Sequence, residues 1–137
     1  MRYDELRIGQ AASLQKRFSK EDVKHFAALS GDVNPLHLDE KLDNTGTFGS
    51  EIVHGLLTSS LFSGIIGTML PGQGSIYLSQ NLNFKKAVFH NELITATCTI
   101  VHKRVDKPIL TMETICKNEN NEVVIEGTAI IKVLDSE

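Results

Sequence analysis

The spacing of apolar positions along this chain changes period once, near residue 72. Before that point it is helical. Val23, Phe26, Ala27 and Leu29 form a stripe near helical spacing, which predicts a helix over 20–30. Ser19 precedes Lys20-Glu21-Asp22, an N-cap followed by acids in the first turn. Gly31 fits the C-terminal stop. Upstream, 6–12 reads as a polar lead-in and 13–18 as a short strand. Downstream, 31–38 cannot prolong the helix. Pro35 fixes its own φ and pushes Asn34 out of the α region, so a short stiff loop is expected. Asp39 is placed to cap a short helix over 40–45, and 44–50 reads as a turn region with two glycines.

The segment 55–69 is apolar in most directions, which predicts a long helix buried on most sides. No Asp, Glu, Lys, Arg or His occurs between Gly55 and Phe84. Ser60, Ser63, Gly64 and Gly67 fall on one face, where a backbone or ligand can approach closely. After Pro71-Gly72-Gln73-Gly74 the period becomes two. Strands are expected over 75–84, 93–101, 109–116 and 123–133, with a hairpin signal at Lys117-Asn118-Glu119-Asn120-Asn121. The expected fold is therefore α+β, an antiparallel sheet curled around one buried helix, with one domain spanning 1–137.

Composition narrows the function classes. The chain has 14 Lys+Arg against 17 Asp+Glu, a formal charge of −3, which gives no reason to expect a nucleic-acid partner. The two cysteines, Cys98 and Cys116, lie in β-like runs and read as buried reduced thiols of a cytosolic protein. The N-terminal residues lack the apolar core of a signal peptide. The run from Gly55 to Leu70 is shorter than the about 20 apolar residues a bilayer requires, so no membrane partner is expected. A cytoplasmic location follows as the expectation.

The chemistry concentrates at Ser30-Gly31-Asp32-Val33-Asn34-Pro35-Leu36-His37. A carboxylate, an amide and an imidazole sit around a proline, directly after a helix stop. Proline stiffening suits a site that needs fixed geometry. His54-Gly55 then opens the long uncharged helix, whose first N–H groups form a donor site for developing negative charge. His54, His90 and His102 have no metal-ligand spacing with carboxylates, so no metal is expected. Lys85, Lys86, Lys103 and Arg104 are expected to be ordinary solvated cations.

This string, with Ile52-Val53-His54-Gly55-Leu56 and Pro71-Gly72-Gln73-Gly74-Ser75-Ile76-Tyr77-Leu78, resembles the (R)-specific enoyl-CoA hydratases of the MaoC-like, hot-dog-fold family. The likeness runs from about Phe18 to Val133. It implies a hot-dog fold, an antiparallel sheet wrapped around a long central helix, and a homodimer. It implies reversible hydration of trans-2-enoyl-CoA to the (3R)-3-hydroxyacyl-CoA, with coenzyme A as part of the substrate and no other cofactor. Residue by residue, the family's acid–base pair falls on Asp32 and His37. Its oxyanion-hole glycine falls on Gly55, its active-site hydroxyl on Ser63 and its thioester-contacting phenylalanine on Phe84. Asn34 is expected to orient the loop beside the substrate. Bulky Phe62, Ile65, Ile66 and Met69 along the helix are expected to close the acyl pocket and favour short chains. Three alternatives share much of this pattern: a 3-hydroxyacyl dehydratase acting on acyl-carrier protein, a hot-dog thioesterase, and a non-catalytic acyl-binding module.

Overall fold

The computed structural model describes residues 2–38 and 52–135. The helix expected over 40–45 and the turn region 44–50 lie outside the described residues.

Helix α1 spans Lys20–Ser30 and has the ends its sequence asks for. Ser19 Oγ accepts from the Asp22 N–H at 3.1 Å, and the Ser19 N–H donates to the Asp22 carboxylate at 3.0 Å. This reciprocal cap satisfies two donors that the first turn leaves open. The Ser19 N–H, more than any other group, holds the Asp22 carboxyl below its ordinary value. Gly31 takes the left-handed conformation, φ 81°, and its N–H closes the helix on Ala27 O. Val23 and Ala27 are buried, whereas Leu29 is 87% exposed and falls outside the stripe expected of it.

Among the described residues, six strands form one antiparallel sheet. They are β1 (Ala11–Arg17), β2 (Ser75–Gln80), β3 (Asn83–Phe84), β4 (Leu93–Lys103), β5 (Ile109–Lys117) and β6 (Val123–Val133). The order is β1-β4-β5-β6-β2, with β3 also paired to β6. Alternation places Ile94, Ala96, Cys98 and Ile100 of β4 on the buried face, with Leu110, Met112, Thr114 and Cys116 of β5 beside them. Burial pushes both thiols up to about 12, as expected for thiols without a polar environment. The hairpin between β5 and β6 forms where the sequence signals it. Asn118 Oδ1 accepts from the N–H groups of Asn120 and Glu122 at 3.0 Å each.

The strand expected over 75–84 is broken in two. At Asn81 the chain crosses over Gly127, where a Cβ would lie 2.0 Å from Asn81 O. Asn81 bonds Thr128 through its N–H and its side-chain oxygen, at 3.0 Å each. The crossing turns the chain and sets Phe84 against the start of the next helix to be described.

Helix α3 spans Gly55–Thr68 and packs on β4, β1 and β2. Between it and α1 lies α2, one helical turn over Pro35–Leu38. Thr58, Leu61, Phe62, Ile65 and Ile66 of α3 are buried. Burial is one-sided, unlike the expectation of a helix enclosed on most sides. Leu56, Ser60, Ser63 and Gly67 face outward. Outward residues here are small or apolar rather than charged, so periodicity could not separate the two faces. Among the described residues no helix is long and apolar enough to cross a membrane.

Candidate active site

The segment after α1 is more ordered than a plain loop. Ser30 Oγ accepts from the Asp32 N–H at 3.1 Å, and Asp32 Oδ1 accepts from the Asn34 N–H at 3.2 Å. These side-chain turns compete well with regular structure at Ser, Asp and Asn. Pro35 then starts α2 rather than ending a loop, because proline's fixed φ suits the first helical position and its missing N–H costs nothing there. The His37 N–H bonds Asn34 O at 3.1 Å. One turn of helix therefore swings the His37 ring back toward Asp32.

His37 is almost buried, and its Nδ1 lies 2.9 Å from Ile52 O. A carbonyl only accepts, so Nδ1 carries the proton in the neutral ring and Nε2 keeps the lone pair. Ile52 is itself held in place. It bridges to Phe89, and the Val53 N–H donates to Val88 O at 2.7 Å. His54 lies directly on His37, with ring centroids 3.8 Å apart and planes 21° from parallel. Its Nε2 lies 2.9 Å from the Asp32 backbone oxygen, and its ring meets Phe26 edge-on at 4.8 Å. The Asp32 carboxylate stays half exposed, 3.9 Å from His54 Nε2.

The sequence gives His54 no metal-ligand spacing with carboxylates. In space, one ligand-type atom each from Asp32, His37 and His54 lies within 4.8 Å of the others. The only local signal is its place immediately before a charge-free helix. As a metal site the trio is poorly shaped. A metal sits close to the plane of each imidazole that binds it. The planes of two rings stacked at 3.8 Å and 21° from parallel meet only well beyond metal–nitrogen distance.

His54 is also the N-cap of α3, and no side chain caps the helix there. Among the described residues, no side chain accepts from the leading N–H groups of α3. Gly55 sits under Phe84, and a Cβ at 55 would lie 2.5 Å from the ring's Cε1. Only glycine admits that approach. Asp32, His37, His54, Gly55 and Phe84 all line one cavity of about 600 Å³. Val53, Val88 and Ile125 form its apolar floor, each 3% exposed or less.

Two sets of residues expected at the site lie away from this cavity. Ser63 is exposed, more than two turns along α3 from Gly55, and does not line the cavity. Phe62, Ile65 and Ile66 belong to the core, and Met69 is 42% exposed, so none of them closes this cavity. Helix rotation decides both points: the residues on the Phe62 side turn toward the sheet. Asn34 is exposed and gives its backbone N–H to Asp32 Oδ1. Lys85 and Lys86 stand at the rim, paired with Glu126 and Glu122. Lys103 is not an ordinary solvated cation. Its Nζ donates to Tyr3 O at 2.9 Å and Leu6 O at 2.6 Å, which ties down the N-terminal segment.

A long helix laid across an antiparallel sheet, with Asp32 and His37 beside its N-terminus, is the arrangement of a hot-dog fold. The chain belongs to the MaoC-like domain family, which it matches over residues 6–122. It is 47% identical over 128 residues to the (R)-specific enoyl-CoA hydratase of Aeromonas caviae, covering 93% of this chain and 96% of that one. A second relative, the (R)-specific enoyl-CoA hydratase of Rhodospirillum rubrum, is 40% identical over 131 residues, with 96% and 90% covered. Among solved structures, the A. caviae (R)-hydratase involved in PHA biosynthesis superposes with a TM-score of 0.93. That match has 46% identity and covers 94% of this chain and 98% of the other.

Proposed function

We propose that this protein is a hydro-lyase that adds water reversibly and (R)-specifically to trans-2-enoyl-CoA. The observation that carries the reading is the convergence of Asp32, His37 and the uncapped start of α3 on one largely apolar cavity. Water must lose a proton as it attacks C3, and C2 must gain one. A water about 2.8 Å from two polar atoms can bridge them even at the 4.8 Å limit that bounds this cluster. The Asp32 carboxylate and His37 hold such a water and move its protons, as a coupled pair. Negative charge building on the thioester oxygen is met by the N–H at Gly55, at the positive end of the α3 dipole. Phe84 lies against the acyl-thioester and Asn34 keeps the loop in shape. Ser63 joins the site only if a second chain brings it there.

With acid and base on one side of the substrate, water and proton reach the same face; the (3R) configuration of the product is carried over from the (R)-specific relatives. The test is hydration of crotonyl-CoA with chiral analysis of the product. A (3S) product, or release of free coenzyme A thiol in place of hydration, overturns the reading.

Two finer statements belong to the same proposal. Short acyl chains are preferred, because Val53, Val88 and Ile125 close the inner wall of a cavity that must also take the thioester end. Faster turnover of a dodecenoyl than a crotonyl thioester would refute that. The protein is also a homodimer. Strand β2 is a sheet edge with Ile76, Tyr77 and Leu78 between 38% and 50% exposed, next to the uncharged outer face of α3. An apolar edge of this kind is normally covered or charged. Light scattering that finds only monomer mass across a range of concentrations would count against pairing.

A further inference from the structure

His54 lies outside the roles assigned above, yet every group around it belongs to the site. We infer that His54 is a positioning residue that holds the Asp32 loop and the His37 ring in register with the start of α3. This rests on the hydratase reading and adds a residue to it.

Four contacts carry the inference. The His54 backbone oxygen accepts the Thr58 N–H at 3.1 Å, so the residue is part of the helix start that faces the thioester. Its Nε2 meets the Asp32 carbonyl at 2.9 Å, across 22 residues of chain. One ring face covers His37 at 3.8 Å, and Phe26 of α1 closes on the ring edge-on. Asp32, by contrast, is half exposed, and within its own loop it bonds Ser30 and Asn34. The His54 Nε2–H ties the Asp32 carbonyl itself to the start of α3, beside the bond from His37 Nδ1 to Ile52 O.

The tautomer follows from the contacts. The Asp32 carbonyl only accepts, so Nε2 must carry the hydrogen. His54 Nδ1 then has no hydrogen-bond partner among the described residues, although the ring is 2% exposed. A buried acceptor left open is costly and is kept where something else requires the residue. A purely structural ring at this place would be better served by phenylalanine, which packs on His37 and Phe26 and leaves no open nitrogen. The retained imidazole points to the one thing phenylalanine lacks, the Nε2–H donated to Asp32. The two stacked rings therefore use opposite nitrogens: His37 donates from Nδ1 to Ile52 O, and His54 from Nε2 to Asp32 O.

The experiment compares wild type, His54→Phe and His54→Gln in crotonyl-CoA hydration, with circular dichroism and thermal melting alongside. Glutamine places an amide N–H close to where Nε2–H stood, and phenylalanine keeps the ring without the donor. The expected result is a His54→Phe kcat lowered about tenfold, the rate equivalent of one hydrogen bond, with KM nearly unchanged and the melting temperature held or raised. His54→Gln recovers most of the kcat. Wild-type kcat in folded His54→Phe overturns the inference. So does a His54→Gln variant as slow as His54→Phe, or a loss confined to KM. Nitrogen NMR of the wild-type imidazoles decides the geometry without any variant: Nε2–H is expected at His54 and Nδ1–H at His37, and the reverse pattern refutes it. A wild type that leaves crotonyl-CoA unchanged would sink the hydratase reading alone, because the tautomers are read without turnover.

Discussion

Gly55→Ala separates the stability of the site from its chemistry. A Cβ at position 55 would lie 2.5 and 2.6 Å from Cε1 and Cδ1 of Phe84. Carbon atoms rest about 3.5–4.0 Å apart, so the ring must retreat by about 1 Å. Phe84 is 53% exposed and has room to swing outward. Leaving its preferred rotamer costs about 1 kcal/mol. Replacing a helical glycine returns up to about 1 kcal/mol. Stability to urea should therefore match wild type to within about 1 kcal/mol. The rate should not. A methyl at the head of α3, with the Phe84 ring displaced, keeps the thioester oxygen away from the N–H donor. Loss of one such donor lowers turnover ~10²–10³-fold. The assay is the loss of conjugated-thioester absorbance from crotonyl-CoA, run beside urea unfolding of the same preparation. Adding Phe84→Leu should relieve the crowding without restoring the rate. Turnover near wild type in Gly55→Ala would refute the placement of the oxyanion. A stability loss of several kcal/mol would refute the reasoning about Phe84.

Asp32→Asn and His37→Gln should each lower kcat by at least ~10²-fold while the circular dichroism spectrum stays unchanged, and the double variant should be little worse than the worse single; additive losses would mean that the two groups do not share one water. Ser19→Ala should cost about 1 kcal/mol in urea unfolding through loss of the α1 cap. Because the Asp22 carboxyl is held below its ordinary 3.8, its contribution is present above that value and is lost as pH falls through the folded value; Asp22→Asn should flatten that part of an acid titration followed by circular dichroism. The two thiols run the other way. Their folded values are raised from 9.0 to about 12, so their contribution is present below pH 9 and is lost as pH rises toward 12, and a disulfide-exchange reagent should label them only when the protein unfolds.

What the sequence alone determined is what local rules govern. Ser19, the acids behind it and Gly31 bound α1 because caps act on the backbone within a turn of themselves. Strand periods in β4 and β5 were legible because buried and less buried positions alternate along them, and in β6 the alternation holds from Ala129 to Val133. The Asp32, Asn34, Pro35 and His37 cluster stood out as a candidate because all four fall within six residues. What lies between distant segments was not readable. The pairing of Phe84 with Gly55 depends on the crossing of Asn81 over Gly127, and no spacing encodes a crossing. The exposed face of α3 could not be told from its buried face, since Ser63, Gly67 and Leu56 carry no charge to mark it. His54 looked idle because its carboxylate neighbour lies 22 residues away and is brought near only when α1, α2 and α3 close around it. Periodicity reports which way a residue points along its own element. Only the packed structure decides what it meets there.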